Sequence, residues 1–155
     1  MPASSTSAPQ RADQAAFEDA LHAFQATQSE GPGPPPAISQ VRDGLGMAEL
    51  DVVAEALRLN ASALQGVLGT SARTLQRRRK RGDALTAAES DRLWRLIYIW
   101  QRSRTAFASE DAARTWLKTP HGLLNGETPL QRLDTEPGLR EVEDLLTTID
   151  ETGAA

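Results

Sequence analysis

Apolar residues recur every three or four positions along most of this chain, which is the spacing of one face of an α-helix. Such stripes run through Leu50–Leu57, Leu64–Leu68 and Leu139–Ile149, and the last of them predicts a helix from about Pro137 to Ile149. No stretch shows the sustained two-residue alternation that is typical of a half-buried β-strand. The sequence therefore predicts an all-α fold.

Capping residues divide this pattern into separate helices. Asn60, Ser71 and Ser109 are suited to begin three helices as N-caps. Thr86–Glu89 has the spacing of a capping box and precedes the longest predicted helix, from about Ala87 to Ala106. Because that helix is apolar around more than half of its circumference, more than one neighbour must cover it. We expect it to be the central core helix or to be shared across a dimer interface.

The first 37 residues differ in composition from the rest of the chain. Met1–Gln10 is small and polar and is expected to be disordered. A weak helical pattern over Arg11–Gln28 stops at Gly31–Pro36, where consecutive prolines favour an extended spacer. Residues 1–37 are therefore predicted to form a flexible, proline-rich arm with at most one short helix. The first helix of the compact part should follow it, with Leu45 as its last apolar residue.

Length and composition narrow the class of protein. A chain of 155 residues can form one compact unit with tails. No apolar run approaches the roughly 18 residues of a membrane-spanning helix, and the N-terminus lacks the apolar stretch of a secretory signal. Cysteine is absent, which excludes disulfides, thiolate catalysis and Cys-based zinc sites. We expect a cytoplasmic protein.

Catalytic chemistry has little support in the sequence. His22 and His121 are the only histidines, and they lie far apart in the chain. No Ser-His-Asp set, glycine-rich phosphate loop or metal-ligand cluster is present. The chain is therefore predicted not to be an enzyme and to need no cofactor, metal or small-molecule ligand.

A cluster of positive charge provides the strongest functional signal. Six basic residues lie between Arg73 and Arg81, although the whole chain has a net charge of -4. The cluster follows an apolar helix and a Gly69-Thr70 turn, which is the layout of a helix-turn-helix whose second helix enters a DNA groove. The alternative is a solvated helix face, but five successive cations repel one another unless a polyanion or an acidic surface is near.

The position of Leu75 orients the basic helix. If Leu75 points into the core, an outward stripe at helical spacing is left for base edges, while the flanking arginines are placed for phosphates. The predicted DNA contacts are Arg73, Thr74, Gln76, Arg77, Arg78, Arg79, Lys80 and Arg81.

Two motifs resemble a known family. Ser71–Arg78 has the pattern Ser-x-Arg-Thr-Leu-x-Arg-Arg, and Trp116–Pro129 has Trp-Leu-x-x-Pro followed by Leu-x-Gly-x-Thr-Pro. Over about Val41 to Gly153 the chain resembles the Xre/MbcA/ParS-like antitoxins of bacterial type II toxin–antitoxin operons. The resemblance implies a helix-turn-helix domain, here expected at residues 38–106, and a small helical toxin-binding domain at residues 107–155.

The family resemblance also implies partners. The usual toxin is a RES-domain protein that depletes NAD, and the antitoxin covers its active site. The complex, often with an antitoxin homodimer, represses its own operon by binding operator DNA. The chain before Ile38 lies outside the family pattern, so no role is transferred to it.

Candidate toxin contacts lie in the C-terminal region. The acidic end of the chain is suited to a basic, phosphate-binding cleft, and apolar residues around the Pro120–Pro129 loop could form an exposed patch. The candidates are Trp116, Leu123, Leu124, Leu130, Asp150 and Glu151. The alternative is that the apolar members are ordinary core residues and the acids are a solvated helix face.

Two other functions remain open. The chain could be a stand-alone helix-turn-helix transcriptional regulator whose C-terminal half only dimerises. It could also be an adaptor whose basic helix binds an acidic protein.

Overall fold

The computed structural model describes residues 36–153, with side chains from residue 38 onward. Within this range the backbone is helical with no strand, so the predicted all-α fold is confirmed. The predictions made for residues 1–35 lie outside the described residues. The helices are α1 (Pro36–Asp43), α2 (Met47–Ala56), α3 (Ala61–Leu68), α4 (Ala72–Arg81), α5 (Ala87–Ala106), α6 (Glu110–Leu117), α7 (Pro129–Arg132) and α8 (Glu136–Thr152), with a 3-10 turn at Gly122–Leu124.

The predicted caps begin the helices as expected. The side chains of Asn60, Ser71 and Ser109 each accept a hydrogen bond from a backbone N–H in the first turn of α3, α4 and α6. Thr86 and Glu89 form both hydrogen bonds of the capping box at the start of α5. Each such cap contributes about 1 kcal/mol, so short local motifs are sufficient to define these helix starts.

Helix α5 is the centre of the core. Leu93, Leu96, Ile99 and Trp100 are almost fully buried along it. Helices α1, α3, α6 and α8 all pack against α5. The expectation of a central helix covered by several neighbours is therefore confirmed.

Two predicted boundaries differ from the structure. Helix α1 ends at Asp43, and Leu45 lies in the connection after it instead of on the helix. Leu45 is buried there. Its backbone is held in place by two hydrogen bonds: its N–H donates to Ser90 Oγ at 2.8 Å, and its carbonyl accepts from Leu85 N–H at 2.8 Å. Helix α8 starts one residue earlier and ends three residues later than predicted. None of the described helices is both long and apolar enough to cross a membrane.

Candidate nucleic-acid interface and partner surface

Helices α3 and α4 form a helix-turn-helix. Gly69 ends α3 in the left-handed region at φ 67°, and Ser71 caps α4 after a short turn. Leu75 is 3% exposed and belongs to the same core cluster as Val67 and Leu68. Leu75 therefore faces the core, as the predicted outward stripe of DNA-contacting residues on α4 requires.

The outward side of α4 carries unneutralised positive charge. The exposed polar residues on this side include Gln76, whereas Thr74 is half-buried. Four exposed cations take part in no ion pair among residues 38–153, and these are Arg73, Arg77, Lys80 and Arg81. Because no carboxylate of residues 38–153 pairs with these four cations, their charge remains available to a polyanion.

Arg78 and Arg79 differ from these four cations. The side chain of Arg78 is 20% exposed, and its guanidinium pairs with the carboxylate of Glu89 on α5. Arg79 donates to Asp51 of α2 at 2.5 Å, and both of these side chains are more than one third exposed. The sequence placed both arginines at DNA phosphates, but the structure gives Arg78 an internal carboxylate partner and Arg79 a surface one.

Glu89 was not predicted beyond its role in the capping box. Its carboxylate accepts hydrogen bonds from the Thr70 hydroxyl, from Thr86 N–H at 2.9 Å and from Arg78. Burial by itself raises the pKa of Glu89. The three donors and the charge of Arg78 together lower that pKa by more than burial raises it, so it lies below the ordinary value of 4.5. An ionised carboxylate thus joins the turn, α4 and the start of α5.

Three of the predicted toxin contacts are core residues. Trp116, Leu124 and Leu130 are each less than one tenth exposed. Trp116 is enclosed by aromatic neighbours, with ring centroids of Phe107 and His121 each 5.4 Å away. The structure places these three side chains in the core beneath the loop, which is the alternative that the sequence left open for them, so they are not part of the exposed surface.

Leu123 is the opposite case. It is 81% exposed, although its neighbour Leu124 is 1% exposed. The loop that presents it is closed by backbone hydrogen bonds between His121 N–H and Glu127 O and between Gly126 N–H and His121 O, both at 3.0 Å. A large apolar side chain is therefore held out in solvent by a defined turn, as expected for a contact residue.

The end of α8 is acidic and exposed. Asp150 and Glu151 lie in its last turns, before Gly153 ends the helix at φ 61°. Carboxylates are unfavourable at the C-terminus of a helix, because the helix dipole is negative there. No group of acidic or histidine side chains in the described range could hold a metal ion.

Comparison with known proteins identifies both halves of the chain. Residues 36–98 match the family described as antitoxin Xre-like helix-turn-helix domain. Residues 103–151 match the family described as antitoxin Xre/MbcA/ParS C-terminal toxin-binding domain. The first region contains α4 with its exposed cations, and the second contains Leu123, Asp150 and Glu151.

Two relatives have the same name. Antitoxin Xre of Pseudomonas putida is 39% identical over 79 residues, which is 51% of this chain and 50% of that protein. Antitoxin Xre of Yersinia enterocolitica is 26% identical over 110 residues, which is 70% of this chain and 74% of that protein. The match thus spans about half the length of the P. putida relative. The chain therefore carries in tandem a match to an antitoxin Xre-like helix-turn-helix domain and a match to an Xre/MbcA/ParS toxin-binding domain, and it is similar to Xre antitoxins in both halves.

Proposed function

We propose that this chain is the antitoxin of a type II toxin–antitoxin pair and that it also represses its own operon. The observation that supports DNA binding best is the set of four exposed, unpaired cations on α4 of an acidic chain. In this proposal Arg73, Gln76 and Arg77 contact base edges, while Lys80 and Arg81 contact phosphates. Residues 38–106 are the DNA-binding and dimerisation domain, and residues 107–155 bind the toxin.

The proposed toxin is a RES-domain protein that depletes NAD. An NAD-consuming site must accept phosphates, so its cleft is positively charged, and the acidic end of α8 has the complementary sign. Leu123, Asp150 and Glu151 are the proposed toxin contacts. The antitoxin acts by occupying the cleft, without an enzymatic step, cofactor or metal of its own. With a toxin and operator DNA as its proposed partners, the proposed location of the chain is the cytoplasm.

Helix α5 separates the basic face of α4 from the acidic end of α8. Its 20 residues span about 30 Å. Helix α4 is attached to its start through Glu89, whereas α8 runs alongside it with Tyr98 bonded to Glu143 and Arg102 bonded to Thr147. The second pair lies four residues further along both helices than the first, so α8 runs parallel to α5. The C-terminus of α8 therefore lies toward the C-terminus of α5. This arrangement supports simultaneous contact with DNA and toxin.

The DNA half is tested with the full chain and a duplex taken from immediately upstream of its own gene. Replacement of Arg73 or Arg77 by Ala should weaken binding by about 1–3 kcal/mol each and reduce operator preference. Arg140→Ala is the control, because Arg140 is an exposed arginine of α8 whose ion pair among residues 38–153 is with Glu136 of its own helix. Equal effects of all three replacements, or no binding by the parent chain, would exclude α4 as the operator-reading helix.

The toxin half is tested by co-expression with the toxin gene adjacent to this one in a growth assay. Leu123→Asp and the pair Asp150→Lys with Glu151→Lys should each reduce protection, while operator binding is retained. Thr148→Ala, an exposed change on α8, is the control. Full protection by both variants would show that another surface blocks the toxin. An adjacent gene without a RES domain, together with intact repression, would instead favour a stand-alone regulator.

A further inference from the structure

Helix α4, the proposed DNA-recognition helix, is attached to α5 at the buried carboxylate of Glu89. Glu89 is 6% exposed, and its oxygens accept from Thr70 in the turn before α4 and from Arg78 in the second half of α4. Thr70 and Arg78 lie eight positions apart, so the contacts hold the two ends of one helical segment against the same point of α5. These two contacts oppose rotation or sliding of α4 relative to α5.

Arg78 lies on the core-facing flank of α4. It is three positions after Leu75, and residues three apart share one side of a helix. Leu75 is 3% exposed, and the Arg78 side chain above it is 20% exposed, whereas Arg77 is exposed on the outward stripe. Neighbours in the sequence therefore have opposite surroundings: Arg77 faces solvent and Arg78 faces a carboxylate.

A paired arginine is also poorly suited to bind phosphate. Moving Arg78 to a phosphate would leave the buried carboxylate of Glu89 with an unmatched charge, and removing one partner of a buried pair is costly. The Thr70 and Thr86 donors to Glu89 would remain, but they carry no compensating charge. The stable state keeps the Arg78–Glu89 pair intact when DNA is near.

We propose that Arg78 and Glu89 are positioning residues that set the orientation of α4 in the DNA groove, and that Arg78 makes no phosphate contact. This inference rests on the proposed DNA binding and refines it. Sequence preference depends on the placement of Arg73, Gln76 and Arg77 at base edges, which the pair controls from behind. The sequence-based assignment of Arg78 to the DNA backbone is replaced by an assignment to the scaffold.

Salt dependence separates the two roles. Each phosphate contact contributes about 0.9 to the slope of log K against log salt concentration. The full chain is titrated with its upstream duplex and with a scrambled duplex over a series of salt concentrations. The variants are Lys80→Ala as the phosphate-contact control, Arg78→Met, Arg78→Lys and Glu89→Gln.

Three results are expected if the pair has a positioning role. Arg78→Met leaves the salt slope unchanged but lowers the ratio of specific to scrambled binding by about tenfold, the scale of one weakened base contact. Arg78→Lys recovers part of that ratio. Glu89→Gln releases Arg78, so the slope becomes steeper by up to about 0.9 while the ratio falls.

The opposite pattern overturns the proposal. If Arg78→Met lowers the slope by the same amount as Lys80→Ala, then Arg78 is an ordinary phosphate contact. An unchanged specific-to-scrambled ratio in Arg78→Met and Glu89→Gln excludes positioning as well. Glu89→Gln has the shape of the native side chain and keeps an acceptor for Thr86 N–H. It therefore still tests the positioning role if Arg78→Met does not fold.

Failure of the proposed function gives a different result. A parent chain that binds neither duplex contradicts DNA binding itself. In that case a double-mutant cycle of Arg78→Met and Glu89→Gln in thermal unfolding still tests the pair. Additive changes in unfolding temperature contradict a pair that holds α4 in place, and non-additive changes support it.

Discussion

Gly69 illustrates how a single residue determines the geometry of the helix-turn-helix. Its φ of 67° lies in the left-handed region, which other residues adopt at a cost of about 1–2 kcal/mol. A Cβ at this position would lie 2.1 Å from Arg92 Nη1. Arg92 needs that place because its guanidinium donates to Leu68 O at 2.8 Å, at the end of α3. Glycine is therefore required here for two separate reasons.

Gly69→Ala is expected to destabilise the fold more than Gly82→Ala does. Gly82 is the matched control, since its φ is 72° but nothing lies within 4 Å of an added Cβ. Gly82→Ala should cost about 1–2 kcal/mol from backbone strain alone, and Gly69→Ala should cost more because Arg92 is displaced. Urea unfolding of both variants measures the difference. Equal losses would mean that the Arg92–Leu68 hydrogen bond contributes nothing.

Glu89 gives the molecule a defined dependence on pH. Its folded pKa lies below the ordinary value of 4.5, so its stabilising contribution is complete above that value. The contribution is lost as the pH falls through the lower folded pKa, where the carboxylate becomes protonated and the pairing with Arg78 is lost.

The stability advantage of the native chain over Glu89→Gln is expected to be largest at neutral pH. It should shrink steadily below pH 4.5, because protonated Glu89 and Gln are both neutral. Unfolding free energies measured between about pH 7 and pH 3 for both proteins provide the comparison. An advantage that does not change over this range would contradict an ionised Glu89.

At the scale of elements, α8 is part of the shared core. Val142 and Leu146 are almost fully buried, and α8 packs along α5. Arg95 on α5 donates to Leu133 O at 3.2 Å, just before α8 begins. The proposed toxin-binding region therefore cannot be deleted without exposing the helix that also supports the DNA-binding half. Surface substitutions are the appropriate way to separate the two functions.

Leu146→Ala is expected to destabilise the whole chain by about 2–5 kcal/mol, as for other buried leucines. Thr148→Ala, two residues later and exposed, should change stability by less than about 0.5 kcal/mol. Both are measured by chemical unfolding followed by tryptophan fluorescence, which reports mainly on α5 because Trp94 and Trp100 both lie on it. A small effect of Leu146→Ala on that signal would mean that α8 unfolds separately.

At the scale of the whole molecule, Arg114 connects the two family regions. Its Nε donates to Ala56 O at 2.6 Å, at the end of α2, and its guanidinium lies 5.4 Å from the ring centroid of Trp100. Lys118 donates in the same way to Arg58 O at 2.9 Å. Cations at the C-terminus of α2 satisfy carbonyls that the helix leaves open and complement its dipole. The two matched domains are thereby joined into one packed structure.

Arg114→Met is expected to lower stability by about 2–3 kcal/mol, because it removes several hydrogen bonds from a mostly buried side chain, including the one to the carbonyl oxygen of Ala56. Arg140→Ala, whose side chain is 72% exposed, should have an effect of about 0–1 kcal/mol. Thermal unfolding of both variants tests the difference. Equal effects would show that the link between α6 and α2 contributes little.

The sequence alone determined the features that depend on neighbouring residues. Helical spacing, the N-caps Asn60, Ser71 and Ser109, and the capping box at Thr86 are local, because each helix forms its first turn from its own residues. The helix-turn-helix layout followed from the succession of an apolar helix, the Gly69-Thr70 turn and a basic helix, and that layout requires Leu75 to face the core.

The tertiary structure decided which side chains remain available to a partner. Arg77 and Arg78 are identical and adjacent in the sequence, as are Leu123 and Leu124, yet one member of each pair is exposed and the other is enclosed. Burial and pairing depend on residues that are distant in the chain, such as Glu89 for Arg78, and no local pattern contains that information. Spacing could therefore locate the surfaces, but only the packed chain could show which of their residues reach solvent.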